Sequence, residues 1–406
     1  VKVSTQKSLK PVVYLQLSNF FSGISNAVVM ITIPWLVLEV TDSPFFAGLV
    51  VAISAIPSLL VAPFGGVLIN RFGAKSISVF ADLMSMVSVI AFPVLAITGT
   101  LSALSITLLA LLGAVFDPLG YTARKTMIQP ASQVAKIDVD RVNGIHEGLF
   151  GASWVIGPAL GAGLIATVGA TNSFWVVGAL FLLAAIMILL MKKSHIPKID
   201  SPSTDKLTSG FSGITLGFRR LWQDRFLRAI VLAELVLAAI YLPTESVILP
   251  TYFESLGRPI DLGLVISALA AGSTISAFAY GWIVKLIGGK NLIRITFIGV
   301  SLGTLGMAFL PPFWLMLTFA LILGLAFGPF YPYLNSKIQS RFPSHEHPMV
   351  FSAQTSVFYA APPLGMLLVG LALEGLGVSL TYLILASVMI VVSVLALISK
   401  HIRTES

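Results

Sequence analysis

The chain has 406 residues, with 25 Lys and Arg against 17 Asp and Glu, for a net charge of +8. Only 10% of its residues are charged and 56% are hydrophobic, at a mean hydropathy of +0.95; a soluble domain carries about 25% charged residues, so a water-facing shell is excluded. There is no cysteine, which excludes disulfides and thiolate metal sites, and the cations are spread over short loops, which argues against nucleic acid as a partner.

The first ten residues are polar and basic, with Lys2, Lys7 and Lys10. The apolar run after them is too long and continuous for a cleaved signal peptide, and no small-residue cleavage site ends it. It reads as a first membrane span. A span needs about 20 apolar residues. By that measure spans are expected over 12–38, 46–69, 76–97, 102–126, 142–168 and 172–191, then 226–253, 261–286, 290–310, 313–336, 347–373 and 379–399. Threading these twelve stretches in and out of a bilayer puts 24 of the 25 Lys and Arg on the side that holds both termini, the exception being Arg258. Basic residues favour the cytoplasmic side, so both termini are expected in the cytoplasm and the chain in a cell (plasma or inner) membrane.

The links are short except for 192–224, which carries Lys192, Lys193, Lys198, Lys206, Arg219 and Arg220 with Pro197 and Pro202. It divides the chain into an N-terminal six-helix bundle (1–191), a cytoplasmic linker and a C-terminal six-helix bundle (225–406). Within the linker, 213–224 has the pattern of a short amphipathic helix, with Phe218, Leu221 and Trp222 against the headgroups.

The two halves look related. Gly66-Val67-Leu68-Ile69-Asn70-Arg71-Phe72-Gly73-Ala74-Lys75 aligns with Gly281-Trp282-Ile283-Val284-Lys285-Leu286-Ile287-Gly288-Gly289-Lys290 at an offset of 215. Phe116-Asp117-Pro118 aligns with Phe327-Gly328-Pro329 at 211, and Gly157-Pro158 with Pro362-Pro363 at 205. Three matches in order at similar offsets predict two six-helix repeats about an axis along the membrane normal.

With these residues in view, the chain resembles the major facilitator superfamily over its whole length. The motif that carries most weight is the loop after the second span: Gly66, then Arg71, Gly73 and Lys75, with Asn70 where the family pattern has an acid. A looser match to the family's exporter motif runs through Gly151, Gly157, Pro158, Gly161 and Gly163. Similarity through Thr244-Glu245-Ser246-Val247-Ile248-Leu249-Pro250 points to the drug:proton antiporter branch that contains the macrolide efflux proteins. That branch also includes a siderophore exporter. The resemblance implies an all-α membrane protein of twelve helices in two pseudo-symmetric halves, working as a secondary exporter of amphipathic molecules. Helices 1, 4, 7 and 10 would line its path.

Read physically, glycines in a span allow close helix packing, and a Gly-Pro pair frees a carbonyl and permits a bend. Gly157, Pro158 and Gly161 can therefore be a packing face or a mobile element of antiport. Gly73 suits a tight turn.

Charges inside a membrane are costly and rarely idle. Asp82, Arg124 and Glu147 share one depth near the cytoplasmic end, with Arg71 and Lys125 close by. They are expected to form either a cytoplasmic gate latch together with Gly66, Asn70, Gly73 and Lys75, or a static ion-pair cluster. Three acids lie deeper: Asp117, Glu234 and Glu245. The last two are 11 residues apart, about three helical turns, so they share a face. Pro243 and Pro250 flank Glu245 and predict an irregular segment there. Desolvation disfavours a charged carboxylate, so these acids can carry a proton, attract a cationic substrate, or simply hydrogen bond to a neighbouring helix. Glu245 ranks first, then Glu234, then Asp117.

The expected cavity wall combines Asn19, Ser22 and Asn26 on the first span with Tyr241, Tyr331, Asn335, Ser356 and Tyr359, and with Phe20, Trp35, Tyr333, Ser352 and Phe330 nearby. Mixed aromatic and amide surfaces suit large amphipathic ligands. No phosphate-binding Gly-x4-Gly-Lys-[Ser/Thr] motif occurs, and no His or carboxylate cluster has metal-ligand spacing. Neither a cofactor nor a metal is therefore expected. The implied partners are an amphipathic small molecule, protons and the lipid bilayer, and the chain is read as a monomer. The competing readings are a dedicated exporter of one metabolite, siderophore or lipid, an importer of the same fold, and a membrane-embedded enzyme. The last would need a polar catalytic loop, and 192–224 holds no such constellation.

Overall fold

The computed structural model describes residues 7–41, 44–192, 211–256 and 258–398. The linker residues Lys193, Pro197, Lys198, Pro202 and Lys206, and Lys2 at the start, lie outside the described residues. Among the described residues all regular structure is helical. Among the described residues nine helices are long and apolar enough to cross a membrane, and Ile56–Phe72 forms a shorter apolar helix. A bilayer forces this outcome, because a span must satisfy its own backbone groups internally.

The helices follow the expected spans. They are α1 (Lys10–Thr41), α2 (Pro44–Val61), α3 (Gly65–Phe72), α4 (Ala74–Ile97), α5 (Ala103–Ala135), α6 (Val139–Val168) and α7 (Ala170–Leu190). After α8 (Phe211–Gln223) come α9 (Arg225–Pro243), α10 (Leu249–Ser255), α11 (Pro259–Ala308), α12 (Phe313–Phe327), α13 (Phe330–Arg341) and α14 (His347–Ile398). The second span is α2 plus α3, joined by a 3₁₀ turn at Ala62–Phe64 that carries Pro63. The seventh is α9 and α10, joined by a π-helical turn at Thr244–Ile248. The tenth is α12 and α13, parted at Gly328-Pro329. Helix α11 contains two spans broken at Gly288, and α14 two spans broken at Gly377. Helix α8 is the amphipathic segment of the linker, with Leu221 buried and Phe218 and Trp222 exposed.

The internal repeat is visible in the backbone. Gly73 (φ 86°, ψ 143°) and Gly288 (φ 76°, ψ 152°) adopt the same conformation 215 residues apart. Gly169 (φ 83°, ψ 158°) and Gly377 (φ 73°, ψ 174°) repeat it between the fifth and sixth spans and between the eleventh and twelfth. This region is essentially open to glycine alone.

The chain forms two compact units. One comprises residues up to Val139, Ala152–Phe218 and Phe342–Thr355; the other comprises Asp140–Gly151, Arg219–Arg341 and Ser356 onward. Each unit thus takes in the beginning of a span from the other half of the sequence. In the first unit, Phe92 and Phe174 stack at 4.4 Å in a core shared by α1, α4, α5 and α7. Glycine permits the closest approaches. A Cβ on Gly66 would lie 2.6 Å from the Pro348 carbonyl oxygen. In the second unit, a Cβ on Gly281 would lie 2.7 Å from Arg141 Cα. These two glycines are repeat mates, and each is packed against the first turn or two of a span from the opposite half.

Candidate functional site

In the first unit the polar stripe of α1 faces inward. Ser18, Asn19, Ser22 and Ser25 are buried, and Asn26 is half-buried. Ser22 and Asn26 each engage a charge on α5. Arg124 donates from Nη1 to both carboxylate oxygens of Asp82 at 3.1 Å, and from Nη2 to Ser22 Oγ at 2.9 Å. The Ser22 hydroxyl is placed to donate in turn to Asp82, closing a ring of three side chains. Both ions are 4% exposed or less. One turn before Arg124, Gly120 leaves room for the guanidinium: a Cβ there would sit 3.4 Å from both terminal nitrogens. Asn26 Nδ2 donates to Asp117 Oδ1 at 2.7 Å. The stripe expected to line a cavity therefore also organises two acids, the buried Asp82 and the half-buried Asp117.

The loop after the second span also lies in this unit. Lys75 Nζ donates to the Leu189 carbonyl at 2.9 Å and to the Met191 carbonyl, capping the end of α7 where a helix leaves carbonyls unsatisfied. Asn70, at the position where the family has an acid, donates to the His345 carbonyl at 3.4 Å. Arg71 is exposed and lies over the Phe72 ring at 5.2 Å. Gly157 packs on Ile24 and Ala27 of α1, and Gly161 on Val28, while Gly163 meets nothing within 4 Å.

Of the residues grouped by depth, Arg71, Asp82, Arg124 and Lys125 lie in the first unit and Glu147 in the second. Asp82 and Arg124 pair with each other. Lys125 lies over the Tyr121 ring at 4.3 Å. Glu147 belongs to the second unit, where its Oε1 accepts from Asn335 Nδ2 at 2.7 Å. Shared depth and the missing acid at Asn70 group these residues in sequence, but depth by itself does not say which face of a helix each side chain occupies.

In the second unit, Glu147 heads a buried polar seam between α6 and α13. One turn earlier, Asn143 donates to Gln339 at 2.7 Å and to Ser336 at 3.0 Å. Tyr280 donates to Asp140 at 3.2 Å. At the end of α13, Arg341 bonds Asp224 Oδ2 at 2.6 Å while Asp224 Oδ1 caps α9 through Leu227 N at 2.9 Å.

Above this seam is an aromatic wall. Tyr241 and Phe327 stack at 4.4 Å with planes 16° apart. Phe327 meets Tyr331 edge-on at 5.7 Å, Tyr331 meets Phe358 edge-on at 5.7 Å, and Phe358 meets Tyr359 at 5.4 Å. Behind these rings Phe330 and Ser356 are buried, whereas Tyr241, Phe327, Tyr331, Phe358 and Tyr359 are partly exposed. Glu234 is fully buried, and Tyr331 shares a hydrogen bond with it. Glu245, half-buried, lies in the π turn and within electrostatic reach of Tyr241. The irregularity expected between Pro243 and Pro250 is thus a π turn, a form frequent at functional sites. Phe327 and Phe358 were missed from sequence, because a phenylalanine in an apolar span carries no signal of which way it faces. Asn143 and Gln339 were missed too, although amides within spans are rare enough to mark them.

A bundle of apolar helices with buried carboxylates and a partly open aromatic wall defines a polytopic membrane carrier. A sequence profile of the Major Facilitator Superfamily matches residues 15–360 and, in a second alignment, 245–405, and the chain belongs to that superfamily of transporters. It is 31% identical over 397 residues to the multidrug efflux pump Tap of Mycolicibacterium fortuitum, covering 97% of this chain and 96% of that one. It is 24% identical to macrolide efflux protein A of Streptococcus pyogenes over 402 residues, with 94% of each covered. Among solved structures, the human organic anion transporter MFSD10 superposes with a TM-score of 0.79 at 13% identity, covering 96% of this chain and 100% of that one. The transporter FucP in an outward conformation superposes at 0.77 and 15% identity, covering 98% and 99%. These two likenesses concern the fold.

Proposed function

We propose that this protein is a secondary active exporter of amphipathic small molecules, of the drug or multidrug type, working by alternating access and coupled to proton antiport. The observation that carries this reading is the end-to-end similarity, at 31% identity, to a multidrug efflux pump. Intramembrane carboxylates beside a partly open aromatic wall supply what such a pump requires: a surface for apolar rings and groups that can trade a proton. Glu245, Glu234 and Asp117 are the coupling residues in this reading. Asn19, Ser22, Asn26, Tyr241, Tyr331, Asn335, Ser356 and Tyr359 contribute to substrate passage. Gly66, Asn70, Arg71, Gly73, Lys75, Asp82, Arg124 and Glu147 belong to the cytoplasmic gate, and Gly157, Pro158 and Gly161 to the antiport motif.

The protein functions as a monomer in the cell membrane with both termini in the cytoplasm, and it is not an enzyme. Its functional halves are 1–191 and 225–406, joined by the cytoplasmic segment 192–224. The positive-inside distribution of Lys and Arg supports this orientation.

The test is uptake into everted vesicles with an imposed proton gradient. Ethidium or a macrolide should accumulate, with simultaneous proton release, and an uncoupler should abolish accumulation. Accumulation driven in the opposite direction would make the protein an importer. Transport of one metabolite with no drug movement would make it a dedicated exporter.

A further inference from the structure

We infer that the exposed face at the start of α9 binds an anionic phospholipid, with its phosphate held by Arg225 and Arg228 and its acyl chain laid along Leu232. The inference stands on the fold alone and holds whichever compound the protein moves.

The charges come first. Residues 219–228 carry four arginines and a single acid, Asp224, directly before the seventh span. Basic clusters placed in this way beside a span attract acidic lipid headgroups. Asp224 is already committed. Its Oδ2 takes a bond from Arg341 at 2.6 Å, and its Oδ1 caps α9 by accepting from Leu227 N at 2.9 Å. Arg341 in turn lies over the buried Phe226 ring at 4.8 Å, on the packed side of the helix. Arg219 and Arg225 are exposed, and among the described residues neither carries an ion pair.

Geometry then separates two faces of α9. Phe226, Leu227 and Ile230 are buried, whereas Arg225 and Leu232 are exposed and Arg228 is half-buried. Positions 225, 228 and 232 follow the three- and four-residue steps of one helix face. Two cations and a leucine therefore form a column about 10 Å long. The column matches one phospholipid followed from its headgroup inward, phosphate first and hydrocarbon next. A planar guanidinium bonds two phosphate oxygens at once. Leu232, a turn deeper, gains from contact with an acyl chain.

Arg228 is held in place for this role. It donates from Nη1 to the Trp222 carbonyl at 3.3 Å and lies over the Trp222 ring at 5.8 Å. That ring is exposed, and tryptophan favours the headgroup layer. The indole thus sets the depth at which the guanidinium stands. Both zwitterionic and anionic lipids offer a phosphate, but the zwitterion also brings a cation that the surrounding arginines repel. The site therefore selects a headgroup of net negative charge.

The experiment measures binding of phosphatidylglycerol and of phosphatidylcholine, with the same acyl chains, to the purified full-length protein by native mass spectrometry, with inorganic phosphate as competitor. Wild type should bind phosphatidylglycerol at least about tenfold more tightly, since each arginine near the surface contributes about a factor of five. Inorganic phosphate should not displace the lipid. Arg225→Gln combined with Arg228→Gln should erase most of the preference, and Arg225→Lys combined with Arg228→Lys should keep most of it. Leu232→Ser should weaken both lipids alike. Lys192→Gln combined with Lys285→Gln removes two exposed cations elsewhere and should leave the preference unchanged. Equal binding of the two lipids by wild type overturns the inference, and this needs no variant. So does a preference that survives the two Arg→Gln changes, or one that falls as far with the two Lys→Gln changes, which would make it a property of diffuse charge. Displacement by inorganic phosphate overturns it as well, by showing an anion site that does not need the lipid.

Discussion

Arg124 reaches both carboxylate oxygens of Asp82 through a single nitrogen, Nη1, at 3.1 Å each. That leaves Nη2 for Ser22 on α1, so one guanidinium ties together α1, α4 and α5. Removing either partner leaves an uncompensated buried charge, which destabilises by about 3–5 kcal/mol. Asp82→Asn and Arg124→Gln should each lower the melting temperature of the detergent-solubilised protein. The double substitution should recover at least half of the loss. Independent, additive losses in the double variant would show that the pair is not a unit.

Glycine at four turns predicts a graded cost. Gly73, Gly169, Gly288 and Gly377 adopt a backbone region that side-chain-bearing residues avoid, at about 1–3 kcal/mol each. No heavy atom lies within 4 Å of a Cβ placed on any of them, so strain alone would act. Gly73→Ala and its repeat mate Gly288→Ala should therefore destabilise by similar amounts in thermal unfolding. Gly163→Ala, in open space with ordinary helical geometry, should be neutral or slightly stabilising.

Gly66 predicts an accessibility change. A side chain there must push the Pro348–Met349 backbone away. Because the chain has no cysteine, Met349→Cys would provide a single thiol, itself nearly buried. Its maleimide labelling should rise several-fold in a Gly66→Val background and transport should fall. Unchanged labelling would mean that the close approach does not hold this segment in place.

For Glu147 the hydrogen bond and the charge can be separated. Glu147→Gln keeps a carbonyl oxygen for the Asn335 amide, whereas Glu147→Ala leaves a buried donor unsatisfied at about 1–3 kcal/mol. The Ala variant should unfold at a clearly lower temperature than the Gln variant. If Gln instead matches Ala in stability but both lose transport, the charge matters and the hydrogen bond does not.

The π turn leads to a coupling prediction. Glu245→Gln should abolish drug-driven proton movement in proteoliposomes while drug binding persists at reduced affinity. Full coupled uptake in that variant would remove Glu245 from the coupling role and pass it to Glu234 or Asp117.

Much of this protein was legible in its sequence for a simple reason. Span positions, the amphipathic segment at Phe218 and Trp222, and the repeat between Gly66–Lys75 and Gly281–Lys290 are local patterns, and a bilayer turns local apolarity directly into helices. The turn at Gly73 could be read from its glycine, and Gly288 stands at the matching place in the second copy of the pattern, whereas Gly169 and Gly377 were not singled out. What the sequence left open was direction. Asp82 and Glu147 share a depth but belong to different units, since a side chain's partner depends on the rotation of its helix and on contacts between residues far apart in the chain. Tyr241 meets Phe327, and Ser22 meets Arg124, across separations of 86 and 102 residues. Hydropathy is blind to such pairings. Only the tertiary structure decided them, and with them which acid an arginine holds.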